Sequence, residues 1–355
     1  MKRLFLSLIL VYSIIPVQLY SQHDSVDFAY SLKHEEVDRL RLFESDDLLD
    51  ITLKLDISFL KKKKPDVDYL DAVLSYYTEE TDSVVSKIKL RARGNFRKNL
   101  CDFPPVSLNF SKNDSAGGEF SGVDKIKLVT YCKRGYQEYV LREYLVYKLF
   151  NILTDHSFRA RLLRITYINT AKEDKPLTEF GFVIEPIESL EKRTNTVEIK
   201  NVYLTQKNVD NEVMNRMAIF NYMVGNTDWS VPIRHNVLLM TMPEDKSANR
   251  AAVVPFDFDF SGIVGSDYAA PFEGLGIESI KDRRYLGVCR SREEYVKSLV
   301  EFKEKEQEFY KTINEFPYLS AKSKKEMISF LKSFFIKIDK KNTIADYLLN
   351  DCLDF

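Results

Sequence analysis

The apolar residues of this chain change period part-way along it, and that change constrains the fold more than any other feature. From Ile51 to Ile57 apolar and polar side chains alternate, and Ile88, Leu90 and Ala92 alternate with Lys87, Lys89, Arg91 and Arg93. A period of two is that of a half-buried strand, so these runs predict an antiparallel sheet. The runs 106–110 and 126–130 continue it, with turn residues between 111 and 122. From Gln137 to Leu153 the spacing becomes helical, with Val140, Leu141, Tyr144, Leu145, Tyr147, Leu149 and Phe150 on the apolar side. Strands are predicted again at 162–169 and 180–184, separated by a polar hairpin at 171–176. Beyond them 209–224, 291–316 and 320–340 carry helical spacing. The expectation is an α+β chain, with an antiparallel β-rich front half (22–185) crossed by one helix and a mainly helical back half (186–355).

The first residues predict export. Met1-Lys2-Arg3 is a basic start, Leu4 to Val17 is almost wholly apolar, and Ser21 is a small residue before Gln22. This is the pattern of a signal peptide spanning residues 1–21, leaving a secreted or periplasmic protein of the bacterial envelope. The apolar run is short for a membrane span and contains Ser7, Ser13 and Pro16, and no later stretch is long enough, so no transmembrane anchor is expected.

The composition suits a packed globule. Hydrophobic residues make up 45% of the chain, and the net charge of -1 leaves no basic excess for nucleic acid. The four cysteines lack CxxC spacing for zinc, and in an oxidising compartment one or two bridges are expected. Cys101 and Cys132 flank one hairpin region and are the first pair to consider. Lys61 to Lys64 reads as a solvated loop.

Chemistry concentrates in one stretch. Gly225-Asn226-Thr227-Asp228-Trp229 is followed by His235-Asn236 and then by Pro255-Phe256-Asp257-Phe258-Asp259. Between them Val237–Met240 and Ala251–Pro255 are strand-length apolar runs. A loop, a hairpin and a second loop would place both acidic stations at one end of a small sheet. Phosphoryl transfer needs such a set: a carboxylate for the attacking hydroxyl, and carboxylate and amide oxygens for magnesium. Asp228 suits the first task, and Asn236, Asp257 and Asp259 the second. Trp229 reads as exposed. The same Asp and Asn residues are also ordinary turn formers, and that alternative stays open.

Other chemistries find little support. The four histidines are scattered without HExxH, there is no GxSxG, and His235 reads as a loop or core histidine. Arg159 and Arg161 share one face of a strand, to meet either phosphate or neighbouring carboxylates. The 20 Tyr and 24 Phe are core material first.

The order of parts, with Arg93-Gly94-Asn95, Leu141-Arg142-Glu143-Tyr144-Leu145, Gly181-Phe182-Val183-Ile184-Glu185, Asn226/Asp228, Asn236 and Phe256-Asp257-Phe258-Asp259, resembles the spore-coat CotH family of atypical secreted protein kinases. The resemblance spans roughly residues 50–265. It implies a two-lobed, protein-kinase-like fold and a phosphotransferase that uses Mg2+ and ATP on an exported protein or other hydroxyl acceptor. Carried over by position, Asp228 is the catalytic aspartate, and Asn236, Asp257 and Asp259 hold metal. Lys127 binds phosphate, chosen over Lys125, Lys87 and Lys89 because its strand leads into the Glu143 helix. Glu143 pairs that lysine, Glu185 begins the connection beside the base, and Arg93 belongs to the nucleotide site. The interval from Asp228 to Asn236 exceeds the usual kinase spacing, and no GxGxxG loop is present, Gly117-Gly118 being a poor substitute. These departures keep a second implication open, a catalytically inactive kinase-like fold acting as an envelope or surface binding module.

Overall fold

The computed structural model describes residues 40–77, 83–110, 118–200, 202–244, 251–340 and 343–354. Residues 1–39, with the expected signal peptide, and residues 111–117 of the expected 111–122 turn lie outside the described residues. Arg39–Phe355 clusters as one compact unit.

Among the described residues seven strands form the front half: β1 (Leu49–Leu55), β2 (Leu70–Tyr77), β3 (Ser83–Ala92), β4 (Val106–Phe110), β5 (Lys125–Val129), β6 (Ala160–Asn169) and β7 (Leu177–Ile184). They close into a barrel in the order β1-β2-β3-β4-β5-β7-β6. Inward residues such as Leu53, Leu74, Leu90, Leu108, Leu163 and Val183 fill it. Most pairings are antiparallel, as expected, but β1 pairs with β6 in parallel, Leu49 opposite Leu163 through Leu55 opposite Asn169. That pairing corrects the predicted fold class: a closed, mixed barrel replaces the open antiparallel sheet of a two-lobed kinase-like fold. Its physical reason is the free edge of β1, which β6 covers, so that the ladder has no unpaired edge there.

The Gln137–Asn151 helix packs against β6 and β7 and is apolar almost all round. A second core wraps this helix and continues through the helices Asn211–Val224, Arg292–Glu315, Ala321–Asp339 and Thr343–Asp351. A smaller sheet, β8 (Val197–Glu198), β9 (Val237–Thr241) and β10 (Ala252–Pro255), has the order β10-β9-β8. Disulfides join Cys101 to Cys132, the pair ranked first from sequence, and Cys289 to Cys352. Lys61–Lys63 are exposed as expected but close a helix, Ile57–Lys63, where their charges suit the C-terminal dipole. Among the described residues no helix is long and apolar enough to cross a membrane.

Candidate functional site

Asp228 is positioned by the end of the Asn211–Val224 helix. Gly225 caps that helix in the left-handed region (φ 69), and the Asn226 N–H returns to the Asn221 carbonyl at 2.7 Å. Buried Asn226 donates from Nδ2 to Asn221 Oδ1 (2.8 Å) and accepts the Asp228 N–H on Oδ1 (3.1 Å). Ser230 and His235 exchange two backbone bonds of 2.9 Å, which narrow the intervening loop and return the chain to Asp228. There the Asp228 carboxylate lies 2.7 Å from His235 Nε2 and accepts the Asn236 amide at 2.9 Å. Trp229 is buried in the helical core, not exposed as its loop position suggested.

The second station follows β10. Val237 and Pro255 are register partners and the Phe256 N–H donates to the Asn236 carbonyl (3.0 Å), so the two acidic loops leave the same end of the small sheet. Asp257 has φ 61, and its N–H donates to the Tyr147 hydroxyl at 2.9 Å. Phe258 is fully buried with its ring 4.9 Å from that of Tyr147, which anchors the loop between its two aspartates. Asp259 is buried and accepts from the Tyr268 hydroxyl at 3.0 Å.

Glu143 lies one helical turn before Tyr147 on the same face, and is completely buried. It meets Asp257 and Asp259: one carboxylate oxygen from each of the three lies within 4.8 Å of the others. Arg97 sits among them, donating to Glu143 at 2.9 Å, with Nε 3.5 Å from Asp259 and Nη1 4.0 Å from Asp257. Burial pushes the Glu143 carboxyl up to about 8 against the pull of Arg97, and pushes Asp259 up to about 6. Glu143 Oε1 is buried without a hydrogen-bond partner. Three converging carboxylates, with the proton affinity of Glu143 and Asp259 raised and an orphan oxygen on Glu143, fit a hard divalent cation, whose charge would restore the ionised forms of those two. Asp257 and Asp259, predicted as ligands, belong to this set, and Glu143 joins them. Asn236 instead gives its amide nitrogen to Asp228.

Beside the carboxylates opens a cleft of about 450 Å3 lined by Arg93, Gly94, Lys127, Ile184, Glu185 and Glu188, among others. Lys127 reaches solvent, yet the protein around its ammonium, and then the Arg93 charge, hold its pKa below the ordinary lysine value. Burial also lowers the Arg93 pKa, and Asp257 is the main charge opposing that loss. The expected Lys127–Glu143 pair is not made: Glu143 goes to Arg97, and Lys127 lies 5.4 Å from the centre of the Phe256 ring. Glu185 is buried between Arg159 (2.6 Å) and Arg193 (3.0 Å), which ties β7 to the Ile187–Thr194 helix. The Arg159 side chain is therefore taken up by a carboxylate, and Arg164 similarly pairs with Asp50.

Arg97, Tyr147, Tyr268 and His235 were missed from sequence. The only signal for His235 was its place beside Asn236, and Tyr147 stands four residues after Glu143, a helical spacing that was read as core. No protein-family model and no curated protein matches this chain.

Proposed function

We propose that this chain is a Mg2+-dependent phosphotransferase of the CotH kind, taking phosphate from ATP to a hydroxyl on an exported protein or small acceptor. The observation that carries the reading is the place of Asp257, which belongs to the carboxylate trio, while its neighbour Phe256 lies against Lys127, which lines the adjoining cleft with Arg93. A carboxylate cluster against a cleft with two cations is what a metal-bound polyphosphate requires. Glu143, Asp257 and Asp259 would hold the metal, whose chemistry is to neutralise and orient phosphate oxygens. Arg93 and Lys127 counter phosphate charge from the cleft side. Asp228, held by Asn226, Asn236 and His235, accepts the proton of the acceptor hydroxyl. The signal-peptide pattern of residues 1–21 supports an exported setting.

One observation favours the inactive alternative. Arg97 already supplies a positive charge inside the carboxylate trio, as in a purely structural ion-pair network. Transfer of labelled phosphate from Mg-ATP to an acceptor or to the chain itself separates the two. The proposal expects transfer by the wild type, and an Asp228→Ala variant that retains nucleotide binding but loses about a hundredfold or more in rate. A wild type that binds Mg-ATP without any transfer or hydrolysis supports the binding module instead.

A further inference from the structure

A cleft of about 840 Å3 opens between the start of the Gln137–Asn151 helix, the turn at 262–265 and the first half of the Ala321–Asp339 helix. It holds Arg142, Lys281, Lys322 and Lys325 against two carboxylates, Glu138 and Glu326, in a chain whose net charge is -1. Both carboxylates have internal partners: Glu138 accepts from Ser320 at 3.3 Å, and Glu326 pairs with Arg142. Arg142 also donates to Ser323 (2.7 Å) and to the Val264 carbonyl (3.3 Å), which fixes one wall. Gly262 fixes another, since a β-carbon there would lie 2.4 Å from the Ile280 carbonyl oxygen.

The three lysines are different. Elsewhere on the helical half, Lys297 pairs with Glu212, Lys303 with Asp339 and Lys305 with Glu308. Lys281, Lys322 and Lys325 are exposed and make no ion pair among the described residues, yet they come from two separate elements to one concavity. Arg142 first, and then Lys322 and Lys281, hold Glu326 below the usual carboxylate range, so their charges do converge. Tyr139 and Phe330 add aromatic side chains to the lining.

We propose that this cleft binds a phosphate ester, its phosphate met by Lys281, Lys322 and Lys325 and its organic part lying against Tyr139 and Phe330. Ammonium groups on flexible stems act as point charges suited to a compact dianion. The volume exceeds what bare phosphate fills, which points to an ester. The site is separate from the carboxylate trio and does not depend on phosphoryl transfer there. Free esters and lipid phosphate headgroups share this chemistry, and the test distinguishes them.

The full chain, in EDTA so that any metal site is silent, is titrated calorimetrically with phenyl phosphate and with inorganic phosphate, and is sedimented with phosphatidylcholine vesicles with and without phosphatidic acid. Saturable phenyl phosphate binding, weakened about tenfold in Lys322→Ala/Lys325→Ala and by rising salt, supports a soluble ester. Retention on phosphatidic acid vesicles alone, lost in the same variant, supports a lipid headgroup. Lys281→Ala weakens whichever is found, and Arg93→Ala/Lys127→Ala leaves it unchanged. The proposal is overturned if neither probe binds, if binding survives the loss of the lysines, or if Arg93→Ala/Lys127→Ala abolishes it.

Discussion

Asp257 and Asn236 both hold a left-handed backbone, at φ 61 and 52, in a region that short polar side chains enter more readily than others. Backbone of this kind persists where its surroundings over-determine it, and here Tyr147 and the β9–β10 register do so. That Asp257 and Asp259 stand together was legible in sequence because they are two residues apart, but not that Asn236 turns its amide to Asp228. Arg97 was not, since one arginine among 52 basic residues becomes a partner of Glu143 only through burial. The same burial sets a pH dependence. A carboxyl whose folded pKa is raised favours the folded state while protonated. That contribution is complete below its ordinary value and is lost as pH rises through the folded value. For Glu143 the window runs from 4.5 to about 8, and for Asp259 from 3.8 to about 6. Without divalent cation, thermal and urea unfolding should therefore show stability falling by on the order of 2 kcal/mol between pH 6 and 8. Glu143→Gln should flatten that fall, and Mg2+ should stabilise more at pH 8 than at pH 6. A wild-type curve that is flat or rises over this interval contradicts the account.

The hairpin that carries both acidic loops was legible as two apolar runs of strand length, and β9 and β10 occupy those positions. The barrel was not. Burial alternates along β1, so its sequence reports one inward face, but nothing in that alternation names β6, more than a hundred residues away, as the neighbour of its edge. The Asp257–Gly265 loop also depends on contacts remote in sequence. The Gly262 N–H donates to the Gly225 carbonyl at 2.9 Å, which links this loop to the helix end that positions Asp228. Because a β-carbon at Gly262 would meet the backbone of Ile280, Gly262→Ala should cost roughly 1–3 kcal/mol and lower the urea midpoint. It should also weaken metal binding through displacement of Asp259. An unchanged midpoint would show that the loop has room the geometry denies.

At the scale of the molecule, the site is assembled from parts that no single segment contains: Glu143 from the helix packed on the barrel, Arg93 from the chain just beyond β3, Lys127 from β5, and the aspartates from loops around the small sheet. The Cys101–Cys132 bridge closes the segment that carries the barrel onward from Arg97, and Cys289–Cys352 ties the C-terminal helix back to the chain before Arg292. Period and composition showed a β-rich front and a helical back, but not that the front closes on itself or that its crossing helix would bury a glutamate against two aspartates. The central claim is that those three carboxylates hold a metal on which nucleotide binding depends. Calorimetric titration of the full chain with ATP, in EDTA and in Mg2+, tests it most directly. The account predicts binding only with Mg2+, weakened about tenfold or more by Asp257→Ala. Binding that is equal with and without the metal, equal in the variant, or absent from the wild type would contradict it.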